Sequence, residues 1–173
     1  MSNVEQDCLE VAVLGKTVYL KSRGYATQRN SLGIPDFLAA MFRAGCRCVV
    51  FDLAECKGMD STFMGVIADA ALARPRQPGK SVVILNADQH ATRQLARIGL
   101  VPMVCMKQEQ VELPEGVELQ EMSFVDFANS KRKRLERIRD LHSQLMRLNE
   151  GNRALFGPFL EMLAEECRLS RQQ

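Results

Sequence analysis

Residues Cys48 to Leu53 form a short apolar-rich run, and a second apolar stretch with a different period begins ten residues later at Phe63. The first has the length and the Val-Val-Phe composition of a buried strand. In the second, Phe63, Met64, Ile67, Ala71 and Leu72 recur at helical spacing, with an expected end near Arg74-Pro75. Between the two lies Gly58-Met59-Asp60-Ser61-Thr62-Phe63-Met64-Gly65. A buried strand therefore delivers the chain to a short loop, and Asp60-Ser61-Thr62 starts a helix. Asp, Ser and Thr all suit such a start, because a side-chain oxygen accepts from the free amides of the first turn. The same amides favour a phosphate. An exposed hydroxyl at this place can act as a switch.

The elements around this junction alternate. Leu9 to Leu14 and Val18-Tyr19-Leu20 read as two strands about a Gly15-Lys16 turn. Gly15-Lys16-Thr17 imitates the end of a phosphate-binding loop, but position 10 is Glu10 where that loop needs glycine. A polar loop with Gly24 follows, then Pro35 opens a helix with the face Phe37, Leu38, Met41 and Phe42, closed by Gly45. Beyond the central pair, Pro78-Gly79 marks a turn and Val82 to Leu85 a buried strand. Asp88 caps a helix through Ile98-Gly99, with Leu95 and Ile98 inward, and Met103 to Met106 forms a last short strand. The order β-β-α-β-α-β-α-β predicts an α/β fold with a mixed, mainly parallel sheet.

The Met59-Asp60-Ser61-Thr62 loop with Gly65, preceded by a strand ending in Asp52-Leu53, resembles the STAS family, the domain of anti-sigma-factor antagonists. The likeness extends over roughly residues 9–107 by element order. Phe63 stands where that family usually has glycine. The resemblance implies a non-enzymatic regulatory domain that binds a protein partner through the Ser61 loop and is switched by phosphorylation of Ser61, with Thr62 as the alternative acceptor. It implies a partner surface of Tyr25, Thr27, Met59, Asp60, Ser61, Thr62 and Phe63. The partner would be an anti-sigma kinase, a sensor phosphorelay protein or a transporter ATPase. The bland readings stand beside it. Ser61 and Asp60 serve as helix caps, and Phe63 is a core residue.

After a STAS-like domain at 1–107, an acidic linker is expected at 108–127 and a helical extension at 128–173. In the extension, Ile138, Leu141, Leu145, Leu148, Asn152, Leu155, Phe159 and Met162 step by three and four, the spacing of a coiled-coil seam. Gly151 and Gly157-Pro158 oppose one continuous helix, so a hairpin turning near Asn149-Glu150-Gly151 is the alternative. Self-association through Leu141, Leu145, Leu148, Asn152, Leu155 and Phe159 is favoured over packing on the chain's own domain, with a homodimer as the simplest form. A scaffolding subunit built on these helices, with Ser61 only a cap, is the second functional reading.

Charge separates the two parts. Residues 1–127 carry 13 Lys/Arg against 15 Asp/Glu, and residues 128–173 carry 10 against 6. Lys131-Arg132-Lys133-Arg134 with Arg137 and Arg139 reads as a solvated helix face rather than a nucleic-acid surface, since Glu136 and Asp140 interrupt it and no aromatic residues interleave. The six cysteines form no CxxC pair and read as reduced, buried thiols, with Cys46 and Cys48 on one strand face. No metal or other cofactor is expected. His90 and His142 are isolated in the sequence and receive no role. With no nucleophile beside a base, an enzyme is not expected. The polar N-terminus and the lack of a ~20-residue apolar run point to a cytoplasmic protein without a membrane span.

Overall fold

In the computed structural model, described for residues 7–73, 81–107, 110 and 112–169, a six-stranded sheet carries helices on one continuous core. Strands β1 (Cys8–Leu14) and β2 (Thr17–Ala26) form the expected antiparallel hairpin, turning at Gly15 with φ of 60°. Helices α1 (Gln28–Ser31) and α2 (Ile34–Arg43) follow, then β3 (Cys48–Met59) and α3 (Ser61–Leu72). Strand β4 (Val82–Leu85), helix α4 (Gln89–Arg97), a 3-10 turn at Val101–Met103 and β5 (Cys105–Met106) complete the parallel part. The sheet order is β5-β4-β3-β2-β1-β6, parallel from β2 to β5. The expected turn at Pro78-Gly79 and helix end at Arg74-Pro75 lie outside the described residues.

Two expectations need correction near the site. The stretch after Leu53 is not a loop, because β3 continues to Met59. The residues Gly24 to Ala26, read as a loop, belong to β2. Both strands continue because they pair with each other in parallel, Arg23 with Glu55 and Ala26 with Met59, across two register shifts. Ion pairs line this part: Lys21 Nζ lies 2.6 Å from Glu55 on β3, and Arg23 Nε lies 2.8 Å from Glu10 on β1. The single strand expected over Met103 to Met106 is likewise divided into the 3-10 turn and β5.

The expected acidic linker is also structured in part. β6 (Gln120–Glu121) pairs antiparallel with β1, and α5 (Val125–Ala128) follows. Helices α6 (Lys131–Met146) and α7 (Glu150–Leu169) then form a hairpin, so the continuous coiled-coil helix is not formed. The turn falls at Asn149, whose Oδ1 accepts from Asn152 N at 2.8 Å and covers a free amide of the first turn of α7. α7 runs through exposed Pro158, although a proline within a helix costs ~3 kcal/mol. The buried stripe Asn152, Phe156, Leu163 and Cys167 holds it against the rest of the protein.

The main correction concerns the extension as a whole. Its apolar stripe does not lie free for a second copy. Ile138, Leu141, Leu145, Phe156 and Leu163 join the same core as β3 and α3. The boundaries at 107 and 127 therefore do not separate independent cores. Leu141 is 2% exposed and Leu145 0%, while Leu148 and Phe159 pack half-buried at the margin. Asn152, expected to pair across a dimer, donates instead to Ile98 O and Leu145 O, both at 2.8 Å. Leu155 alone of that set is exposed, at 60%.

Candidate functional site: a serine beneath the helical hairpin

The site is built where β3 gives way to α3. Asp60 is the N-cap of α3, and its Oδ1 accepts from Phe63 N at 2.9 Å. Its other oxygen accepts from Gln28 N at 2.9 Å, so one carboxylate holds the starts of both α1 and α3. The Asp60 amide donates to Ala26 O at 3.0 Å, which fixes the loop to the end of β2. Thr27 caps α1, and Asn30 Nδ2 reaches back to Tyr25 O at 2.9 Å. Tyr25, Thr27, Asp60 and Ser61 are therefore gathered on one rim.

The remaining predicted contact residues are not on that rim. Met59 is 7% exposed, Thr62 4% and Phe63 1%, and all belong to the interior. Phe63 packs edge-on against Phe51 with ring centroids 6.0 Å apart. The cause is the helix itself. With Asp60 as cap, positions 62 and 63 turn toward the sheet, and only Ser61 is left at the edge. Thr62 is thereby lost as an alternative acceptor, and Met59 and Phe63 as contacts.

Ser61 is half-buried because α6 crosses over it. Gly65 allows the close approach, since a Cβ there would sit 2.9 Å from Leu141 Cβ and 2.9 Å from Leu141 O. Several polar contacts tie the hairpin down. Gln144 Nε2 donates to Asp69 Oδ1 at 3.1 Å, Arg137 to both Asp36 oxygens at 2.7 and 2.8 Å, and Asn149 Nδ2 and Asn152 Nδ2 to Ile98 O at 3.2 and 2.8 Å. A further one is the site. His142 Nε2 lies 2.8 Å from Ser61 Oγ.

His142 is the residue at this candidate site that sequence reading missed, for it stands 81 positions beyond Ser61. Its ring is 2% exposed and lies between Phe156 and Phe159, at centroid distances of 5.2 and 4.8 Å. Nδ1 is 2.8 Å from Ile138 O. A carbonyl only accepts, so Nδ1 carries the proton and Nε2 of the neutral ring presents a lone pair to the Ser61 hydroxyl. Burial pushes the imidazole below its ordinary value, against smaller upward pulls from the Ile138 bond and the Asp60 charge. The ring is thus neutral at pH 7.

This has a consequence for stability. A histidine with a depressed folded value takes up fewer protons than the unfolded chain, so its contribution is intact above about 6.5 and is lost as pH falls through that value. Urea denaturation of the wild type should show a loss of stability between about pH 7 and pH 5 that His142→Gln lacks. Equal pH slopes in the two proteins would contradict the buried neutral ring.

Much of the basic run is paired at the surface with residues of its own hairpin and of α5. Lys131 pairs with Glu166 at 2.8 Å and Arg132 with Glu136 at 2.9 Å, and Arg134 donates to the Phe127 and Ala128 carbonyls. The six cysteines are free thiols, but only Cys46 and Cys167 are buried, and Cys46 lies before β3 rather than in it. Among the described residues no cluster suited to a metal ion occurs, and no helix is long and apolar enough to cross a membrane.

No family model and no curated protein match the sequence. Solved structures do show a likeness. The anti-sigma factor antagonist SpoIIAA in its unphosphorylated form is 17% identical with a TM-score of 0.48, over 58% of this chain and 89% of that one. The phosphorylated form of the Bacillus cell fate determinant SpoIIAA gives 16%, a TM-score of 0.45, and 58% and 92% of the two chains. An uncharacterized protein with a SpoIIAA-like fold from Shewanella loihica PV-4 gives 13%, 0.41, 63% and 91%. Likeness of this degree carries no residue's role across to this chain.

Proposed function

We propose that this protein is a regulatory protein-binding module that meets its partner at the Ser61 rim and is switched by phosphorylation of Ser61. One observation carries the reading. The Ser61 hydroxyl is one latch between the sheet domain and its own helical hairpin, through a 2.8 Å bond to buried His142. A phosphoryl group adds about −1.5 to −2 charge at this point, beside Asp60. The start of α3 offsets part of that charge within the domain. The hairpin can compensate only by charging His142, which faces the new anion with a lone pair and whose burial opposes protonation. Phosphorylation therefore changes the rim in two ways, adding charge and unfastening α6.

The partner of such a rim is a protein of the kinase, anti-sigma or transporter-ATPase kind. Tyr25, 52% exposed, gives it a rigid amphipathic contact, and Gly58 lies flat against that ring. Tyr25→Ala should leave the melting temperature within about 2 °C, as for a surface substitution, yet weaken partner capture about tenfold. A large drop in melting temperature would show that Tyr25 supports the core instead.

The switch itself is tested by intact mass and peptide mapping of the protein purified from its native host. A fraction carrying one phosphoryl group on Ser61 supports the reading. Unmodified protein in every growth state rejects it.

A further inference from the structure

The contact between Ser61 and His142 has the parts of an activated nucleophile. The base is within hydrogen-bond reach of the hydroxyl, and a third group, the Ile138 carbonyl, fixes its tautomer with the lone pair on Nε2. The Asp60 carboxylate on the cap of α3 is the charge facing the ring, and it favours an imidazolium as one forms. From α7 the rings of Phe156 and Phe159 pack against it. Ser61 also opens on a cavity of about 540 Å³ between α3, α4 and α7, within the range of small-ligand sites. Its walls are apolar at Met64, Ile98, Leu155 and Phe156. On the wall toward α4, Gln94 Oε1 is buried with no hydrogen-bond partner among the described residues.

We propose that Ser61 and His142 form a nucleophile–base pair that takes an acyl group from a small carboxylic ester held in this cavity. This activity is separate from the phosphorylation switch and does not depend on it. Ser61 Oγ attacks the ester carbonyl carbon while its proton passes to His142 Nε2. The carbon–alkoxy bond breaks, and the alcohol leaves with the proton returned by Nε2. Water then attacks the acyl-serine, giving its proton through His142 back to Ser61 Oγ and releasing the carboxylic acid. The developing oxyanion lies at the start of the 12-residue helix α3, where the Ser61 and Thr62 amides have no acceptor within the helix. Strand, serine and helix follow in the order found at a nucleophile elbow, but Ser61 opens α3 with unstrained backbone.

The test uses the full chain and p-nitrophenyl butyrate, with release of p-nitrophenolate and intact mass followed together. The wild type should gain one butyryl group mapped to Ser61. Ser61→Ala, which removes only a hydroxyl, should gain none, and His142→Gln should acylate about 10²- to 10⁴-fold more slowly while retaining its circular dichroism. Should His142→Gln fail to fold, the wild type and Ser61→Ala decide by adduct formation alone. A wild type without adduct at Ser61, or release by Ser61→Ala equal to wild type, overturns the proposal.

Discussion

Leu145→Ala should destabilise the protein by about 2–5 kcal/mol, the range for truncating a fully buried leucine. Leu145 is 0% exposed, and the core it joins is made by the sheet domain together with the hairpin. Its carbonyl also accepts from Asn152, which reaches on to Ile98 in the turn after α4. Any collapse around the void therefore moves a fixed polar bridge, so the site relaxes poorly and the cost belongs in the upper half of the range. Urea denaturation monitored by circular dichroism reads it directly. A loss below about 0.5 kcal/mol, typical of surface substitutions, would show that α6 is not part of the core.

Gly65→Val should be nearly as severe. A Cβ at position 65 meets Leu141 Cβ, its carbonyl oxygen at 2.9 Å and its carbonyl carbon at 3.1 Å. Two of these three neighbours are backbone and cannot rotate away, so α3 and α6 must part. Overpacking of this kind costs about 1–3 kcal/mol and at times more. The same separation breaks the Ser61–His142 contact, which lies one turn nearer the start of α3. Gly157, with nothing within 4 Å of its Cβ position, is the control. Gly157→Ala should instead stabilise by up to about 1 kcal/mol through helix propensity. Melting curves of the two variants should move in opposite directions; movement of both downward would place the constraint in α7 rather than at the α3–α6 crossing.

Much of the fold was legible in the sequence because local rules and the core agree there. The β1–β2 hairpin, the Asp60 and Asp88 caps and the parallel strands each follow from short-range patterns. The extension of β2 and β3 to Ala26 and Met59 was not legible. Gly24 and Gly58 look like loop residues, and pairing between strands more than thirty positions apart overrides that preference. The stripe on the C-terminal helices was visible, but periodicity states only that one face is apolar, not what covers it. Gly65 held the missing information, since a glycine inside a helix often marks a close approach, here by Leu141. Within the site, Ser61 and its cap could be read from the chain, while His142 could not. A base 81 residues away joins a serine only through tertiary packing.

The central claim is that the state of Ser61 governs the hairpin, and hydrogen–deuterium exchange on wild type and Ser61→Asp tests it most directly. In the variant, amides of α6 (Lys131–Met146) and α7 (Glu150–Leu169) should exchange at least about tenfold faster, while those of β3 (Cys48–Met59) keep their protection. Hairpin amides that exchange equally in both proteins would contradict it.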